Sequence, residues 1–232
     1  MLFRSARKSP PGAAVIVDRG RAALFGVAVG DALGATTEFM TPAEIRDRYG
    51  VHREIVGGGW LKLSPGQVTD DTEMTLCVAR GIVGSGRWSL GPIADHFARW
   101  LARGPADVGA TCRRGIEEYR EKGRLEAPPD ERGAGNGAAM RVAPVALYTL
   151  GNEELLSRLA VEQAHITHHH PLSDAACVSV GKMIQRGLIG APLPVLRATA
   201  EELAARHPEF RLEGYDGESS AYVVDTDRKS VV

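Results

Sequence analysis

The 232-residue sequence predicts an all-α fold. Apolar residues recur at helical spacing in at least eight segments, and no segment alternates apolar and polar residues as a half-buried strand does. Gly-rich stretches separate the segments and leave them unequal in length. The pattern indicates a compact helical bundle whose functional site is built from loops and helix ends.

The composition is that of an ordinary globular domain, with 44% hydrophobic and 25% charged residues. A net charge of −1 and a sequence pI of about 6.7 give no sign of a surface for nucleic acid or an anionic membrane. Cys77, Cys112 and Cys177 are widely spaced within helical patterns, which is typical of reduced thiols in a cytoplasmic protein. No apolar run approaches the roughly 18 residues of a membrane span.

The first helix is expected after a short extension. Residues 1–17 contain an apolar run too short for a signal peptide, and we interpret them as a flexible extension. Asp18 then caps a helix over about residues 20–35. One face of this helix is bare backbone that another element could approach closely. That face is formed by Gly26, Gly30 and Gly34.

The later helices are predicted from their caps, breakers and apolar period. Thr41 and Thr69 suit N-cap positions, Gly123 stops a helix, and Pro171 suits a first turn. Pro144 should kink its helix or mark the true start. The predicted spans are about residues 42–49, 70–84, 89–103, 107–122, 138–150, 153–167, 171–185 and 194–206, followed by a looser region after Phe210.

Residues 65–75 hold the densest cluster of candidate functional groups. Thr69 precedes Asp70 and Asp71, and Glu73 lies in the same first helical turn. Such acids complement the helix dipole, a contribution of about 0.3–1 kcal/mol each. Together with the Thr69 hydroxyl they also form an oxygen-only ligand set, which favours Mg²⁺, Mn²⁺ or Ca²⁺ over zinc. The residues alone leave both interpretations open.

Further acids occur where an apolar pattern does not explain them. Asp31 and Glu38 lie near the C-terminal end of the first long helix, and such charges are seldom buried unless they are paired or bind metal. No Gly-x-Ser-x-Gly elbow or activated cysteine points to nucleophilic catalysis. Metal-assisted hydrolysis fits the acids better. The set comprises Glu38, Asp70, Asp71 and Asp107 with the Thr69 hydroxyl.

Two other segments are candidates for binding a ligand. Residues 133–137 form a Gly-rich approach to a helix, which suits either an anion site or a simple cap by Asn136. Three consecutive histidines point in three directions on any backbone, so they do not predict one metal cluster. His168 is the better candidate for donating to a phosphate or ribose, whereas a surface turn explains His169 and His170 about as well as a functional role does.

Several motifs in order carry a resemblance to a known family. They are Gly30-Asp31-Ala32-Leu33-Gly34-Ala35, Glu38-Phe39-Met40, Gly57-Gly58-Gly59-Trp60, Thr69-Asp70-Asp71-Thr72-Glu73-Met74, Asp107-Val108-Gly109, Gly135-Asn136-Gly137-Ala138-Ala139-Met140-Arg141, Ile166-Thr167-His168 and Ser219-Ser220-Ala221-Tyr222. The chain resembles the ADP-ribosylglycohydrolases over about residues 21–226. The resemblance implies one all-α domain, here residues 18–226, with two Mg²⁺ or Mn²⁺ ions in a cleft.

The same resemblance assigns expected roles. Thr69, Asp70 and Asp71 would supply the first half of the metal shell, with Glu38 beside it as acid/base or bridging ligand. Asp107 would work near the ribose. The expected ADP-ribose contacts are Gly135, Asn136, Gly137 and His168, with Tyr222 against the adenine.

The resemblance also implies a protein partner. The expected reaction is hydrolysis of the N-glycosidic bond of ADP-ribosyl-arginine, and the similarity is greatest to members that act on the nitrogenase iron protein, dinitrogenase reductase. Two alternatives are another ADP-ribosylated target and a fragment that is inactive or only binds ADP-ribose.

Two departures from the family pattern accompany the resemblance. Ala110 stands where relatives have Asn, which predicts weaker substrate binding. The family's second metal motif, Gly-Gly-Asp-x-Asp-Thr with its helix, has no counterpart, because Asp225-Thr226-Asp227 lacks the glycines. We therefore expect the last helices and the second half of the metal ligands to be missing, and residues 227–232 to be a non-native tail.

Overall fold

The structure, a computed structural model, describes residues 11–210 and 220–224 and confirms the all-α prediction. Within those ranges it holds nine helices and no strand. In chain order they are α1 (Ala13–Gly34), α2 (Pro42–Tyr49), α3 (Asp70–Ser85), α4 (Leu90–Ala102), α5 (Ala110–Lys122), α6 (Ala143–Tyr148), α7 (Glu153–His165), α8 (Pro171–Leu188) and α9 (Leu193–Arg206). None of these helices combines the length and apolarity that crossing a membrane requires.

Helix α1 starts earlier than predicted. It begins at Ala13 after an extended Gly12, so residues 13–17, which we assigned to a flexible extension, are helical. The reason is that no helix breaker lies between Gly12 and residue 18. Asp18 is therefore an exposed residue inside the helix and not its cap. Residues 1–10 lie outside the described part of the chain.

Two other helices are shorter than the periodicity predicted. Helix α5 starts at Ala110, so Asp107 lies in the preceding loop. Helix α6 spans only Ala143–Tyr148, whereas we predicted residues 138–150. Pro144 occupies its first turn and marks the true start, one of the two outcomes that the sequence left open.

The glycine face of α1 is not used as predicted. A Cβ added at Gly26, Gly30 or Gly34 would meet no atom within 4 Å, so no described element packs closely there. Phe25 on the same helix is 71% exposed. Only Gly20 comes close to a neighbour, 3.2 Å from the Leu147 side chain.

The core lies between α3 and its neighbours. Helices α3 and α4 pack so closely at Gly81 that an added Cβ would be 2.6 Å from Ile93 Cγ1. Met74, Val78 and Phe97 are fully buried in this cluster. Burial of such side chains contributes about 1.5–3 kcal/mol each. The core thus fixes α3, whose first turn carries the acidic residues.

Candidate functional site

Asp31 anchors the N-terminus of α3 from another helix. Its carboxylate accepts bonds from the Thr69 backbone N–H (2.9 Å) and the Thr69 hydroxyl (2.8 Å). It also accepts from the Thr72 backbone N–H (3.1 Å) and hydroxyl (2.5 Å). Thr69 occupies the N-cap position as predicted, but its side chain does not cap the helix. A residue 38 positions earlier does so instead.

The two tandem aspartates lie close to other carboxylates. Burial raises the pKa of Asp70 to about 7, and the charges of Asp107, Glu38 and Asp31 add to the effect. Burial also raises the pKa of Asp71 to about 8, with Asp70 as the largest charged contributor. The third first-turn acid, Glu73, is held apart because Trp100 Nε1 donates to it at 2.5 Å.

Glu38 is oriented by an indole. Trp60 Nε1 donates to Glu38 Oε2 at 2.9 Å, and the Trp60 ring meets Phe39 edge-on at 5.5 Å. The glycines before Trp60 allow this approach, since a Cβ on Gly59, where φ is +68°, would lie 2.3 Å from the Ala35 carbonyl oxygen. Triple glycine here is therefore a requirement of close packing and backbone conformation.

Asp107 reaches the same cluster from the loop before α5. It is half-buried, and burial raises its pKa, with a further contribution from the charge of Asp31. The backbone N–H of Gly109, the N-cap of that helix, acts in the opposite sense and lowers the pKa of Asp70. The structure thus brings together Glu38, Asp70, Asp71 and Asp107, all predicted from sequence, and adds Asp31.

The donor set fits a hard divalent cation. All side-chain donors are oxygens, as Mg²⁺ and Mn²⁺ prefer. In the described part of the chain, no lysine or arginine forms an ion pair with Asp31, Asp70, Asp71 or Asp107. Buried acids that repel one another are the arrangement that a bound cation would stabilise. Thr69 gives its hydroxyl proton to Asp31, which leaves its oxygen lone pairs available.

The predicted ADP-ribose residues also come together. Gly135 and Tyr222 form an isolated antiparallel bridge. The Asn136 backbone N–H donates to the Ala221 carbonyl oxygen at 2.9 Å. Asn136 does not cap α6, because residues 137–141 form turns before that helix. The Tyr222 side chain is 42% exposed beside this loop.

His168 lies directly under that loop and is buried. A Cβ on Gly135 would be 2.8 Å from its Nε2, and one on Gly137 would be 2.8 Å from its Cε1. Its Nδ1 lies 2.8 Å from the Thr167 hydroxyl. Burial lowers the pKa of His168 to about 3, with Arg141 and Arg114 contributing, so the imidazole is neutral.

His169 and His170 have different hydrogen-bond partners, as expected for consecutive residues whose side chains point in different directions. His170 is the N-cap of α8 and accepts from the Leu172 backbone N–H at 3.1 Å. His169 is half-buried and contacts the Ala127 carbonyl oxygen at 2.8 Å. Its ring stacks on His165 at 3.8 Å. Both residues are partly exposed in the connection between α7 and α8, and each has a hydrogen-bond partner within the protein.

Among the described residues, the group of possible metal ligands whose ligand atoms all lie within 4.8 Å of one another is Glu126, His165 and His169. The two rings are nearly parallel, at an interplanar angle of 23°. Lone pairs in parallel ring planes do not converge on one ion. His165 Nε2 instead contacts the Asp174 carboxylate at 3.1 Å, and this contact raises the pKa of His165. We therefore assign no metal to this group.

The model of the family described as "ADP-ribosylglycohydrolase" matches residues 13–228. The chain belongs to the ADP-ribosylglycohydrolase family. A solved structure described as an ADP-ribosylglycohydrolase-related protein complex superimposes with a TM-score of 0.77 and 33% identity, over 92% of this chain and 74% of the other.

Two relatives in this family carry informative names. The chain is 51% identical to the ADP-ribosyl-[dinitrogen reductase] glycohydrolase of Rhodospirillum rubrum, over 90% of this chain and 71% of the relative. It is 32% identical to the ADP-ribosylarginine hydrolase Tri1 of Serratia proteamaculans, over 90% of this chain and 60% of the relative. The chain thus spans about three-fifths to seven-tenths of the length of these relatives.

Proposed function

We propose that this ADP-ribosylglycohydrolase cleaves the N-glycosidic bond between ADP-ribose and an arginine of a protein, and that the protein is dinitrogenase reductase. The observation that carries the reaction is the group of carboxylates around the start of α3, where the charges of Asp31, Glu38 and Asp107 all raise the pKa values of Asp70 and Asp71. The target is supported by the 51% identity to a relative named for dinitrogen reductase.

Thr69, Asp70 and Asp71 are the proposed metal ligands, with Glu38 as a further ligand or as acid/base. Bound Mg²⁺ or Mn²⁺ would supply Lewis-acid stabilisation of charge and a water of lowered pKa. Asp31 keeps Thr69 and the first turn of α3 in place through four hydrogen bonds. Trp60 keeps the Glu38 carboxylate in one orientation.

A guanidine leaves readily only as the protonated group, so one acid close to the bond must keep or supply a proton. Asp107 suits this task, because burial and the charge of Asp31 raise its pKa. Gly135, Asn136 and Gly137 are proposed to receive the ADP-ribose, with His168 beneath the loop and Tyr222 beside the adenine. The bridge between Gly135 and Tyr222 supports a single subsite for these residues.

The test measures ADP-ribose release from two substrates modified on arginine, dinitrogenase reductase and an unrelated protein. Each reaction is run with Mn²⁺, with Mg²⁺ and with a chelator. We expect cation-dependent release that is faster from dinitrogenase reductase. Equal rates on both substrates would favour a broader function, hydrolysis of ADP-ribosylarginine in several proteins. The relative Tri1 is named as an ADP-ribosylarginine hydrolase. No release from either would contradict the proposal.

A further inference from the structure

Arg141 is a fully buried arginine whose partners are neutral. Its guanidinium donates to Gln163 Oε1 at 2.8 Å, to the Gln163 carbonyl oxygen at 3.0 Å and to the Thr167 hydroxyl at 2.8 Å. It lies over the Phe97 ring at 4.5 Å. No carboxylate of the described residues forms an ion pair with it. A buried charge without a counter-charge is costly, so its contacts call for a specific explanation.

The contacts of Arg141 determine where the neighbouring protons lie. A guanidinium only donates, so the Thr167 oxygen accepts from Arg141 and retains one proton to give. That oxygen is 2.8 Å from His168 Nδ1. If Nδ1 carried a proton, the Thr167 hydroxyl proton would have no acceptor among the described residues. Thr167 therefore donates to Nδ1, and the neutral imidazole carries its proton on Nε2.

The protonated nitrogen faces the two glycines of the loop. A Cβ on Gly135 would lie 2.8 Å from Nε2, whereas a Cβ on Gly137 would lie 2.6 Å from Cys112 Sγ and 3.2 Å from Nε2. Neither glycine has a positive φ, so backbone conformation does not require glycine at either position. Glycine is instead required by space, above His168 Nε2 at position 135 and beside Cys112 Sγ and the imidazole at position 137. Within the described residues Nε2 has no hydrogen-bond partner and is not among the fully enclosed polar atoms.

We infer that Arg141 and Thr167 are positioning residues that fix His168 as the Nε2–H tautomer, so that it donates between Gly135 and Gly137 to an oxygen of bound ADP-ribose. The identity of the ligand rests on the proposed function, whereas the tautomer does not. Arg141 acts through Thr167, and neither residue contacts the reacting atoms in this arrangement. A neutral donor of fixed direction loses no orientational freedom when the ligand arrives.

The tautomer is measured first, on the full chain without substrate, from the ¹⁵N resonances of its imidazole nitrogens. We expect the His168 signals of an unprotonated Nδ1 and a protonated Nε2. Thr167→Val, which keeps the shape and removes the hydroxyl, should lose this preference, and Thr167→Ser should keep it. Thr149→Val is the matched control, since Thr149 is a buried threonine that accepts from Gln185 at 3.0 Å.

Ligand binding is measured next, by calorimetry with ADP-ribose and by steady-state kinetics. We expect Thr167→Val to weaken ADP-ribose binding about 10-fold, the effect of one lost hydrogen bond, and to raise KM more than it lowers kcat. Thr167→Ser and Thr149→Val should bind as the wild type does. A wild-type His168 protonated on Nδ1, or unchanged affinity in Thr167→Val, would overturn the inference. If the tautomer is as inferred but ADP-ribose does not bind the wild type, the ligand assignment fails and the positioning role stands.

Discussion

Asp31 binds Thr69 through both of its carboxylate oxygens, one to the backbone N–H at 2.9 Å and one to the hydroxyl at 2.8 Å. This contact joins the C-terminal end of α1 to the first turn of α3 and orients the residue next to the tandem aspartates. The position of the acidic cluster therefore depends on a residue that is not itself a predicted ligand.

Replacing Asp31 with Ala should lower both stability and activity. Loss of a capping carboxylate that accepts four bonds should reduce the free energy of unfolding by about 1–3 kcal/mol, measured by urea titration with Mn²⁺ present. Asp18→Ala on the same helix is the control, because Asp18 is exposed and should change stability by less than about 0.5 kcal/mol. Equal effects of the two changes would contradict the capping role.

The metal-free protein should become less stable as pH rises from about 4 to about 8. Asp70 and Asp71 have folded-state pKa values of about 7 and about 8, above the value near 4 of an unfolded Asp. In that interval the folded state binds more protons than the unfolded state, so raising the pH favours unfolding.

A bound divalent cation should oppose this trend, because it competes with those protons. The increase in melting temperature on adding Mn²⁺ should thus be larger at pH 8 than at pH 5. Scanning calorimetry at both pH values, with a chelator and with Mn²⁺, provides the measurement. An increase that is independent of pH would show that the cation does not bind these two carboxylates.

Trp60→Phe should slow hydrolysis while leaving the fold intact. The change keeps a ring against Phe39 and removes the N–H that orients Glu38. We expect kcat to fall about 10-fold, the effect of removing a hydrogen bond that orients a residue at a metal site. Trp88→Phe removes the same kind of bond, from Trp88 Nε1 to Glu162 at 2.7 Å, and should leave kcat unchanged.

Two glycines of α3 should respond to Ala with opposite sign. At Gly81 the new methyl would lie 2.6 Å from Ile93 Cγ1 and 2.9 Å from its backbone, so overpacking should cost about 1–3 kcal/mol. At Gly84 nothing lies within 4 Å, and the helix should gain about 0.4–1 kcal/mol. Chemical denaturation of both variants measures the pair. Similar losses at the two sites would contradict the close packing of α3 on α4.

The helices were predictable because apolar period, caps and breakers are local properties of the sequence. The α6 prediction failed where apolar residues around 138–142 suit both a helix and a packed turn, and only Pro144 marked the start. The acids of the site were predictable as residue types. Their grouping with Asp31 was not, since hydrogen bonds over 38 positions in sequence leave no local pattern.

The same holds for the proposed ADP-ribose site: its residue types were predictable from the sequence, but their arrangement was not. Gly135, Gly137 and His168 could be singled out by composition and order, but the burial of His168 beneath the glycines depends on how α5, α8 and the loop meet. Arg141 belongs to a motif that carries the family resemblance, but its burial was not predictable, because arginine is most often exposed. Its role emerged only from its contacts with Gln163 and Thr167.

The most direct measurement is Mn²⁺ binding by the wild type and by the double variant with Asp70→Asn and Asp71→Asn. The electron paramagnetic resonance signal of free Mn²⁺ reports how much of the ion is bound. ADP-ribose release from ADP-ribosyl-arginine is recorded on the same samples. We predict that the wild type depletes free Mn²⁺ and needs it for hydrolysis, and that the double variant neither depletes Mn²⁺ nor hydrolyses the substrate. Hydrolysis by the double variant at the wild-type rate, without added cation, would contradict this prediction.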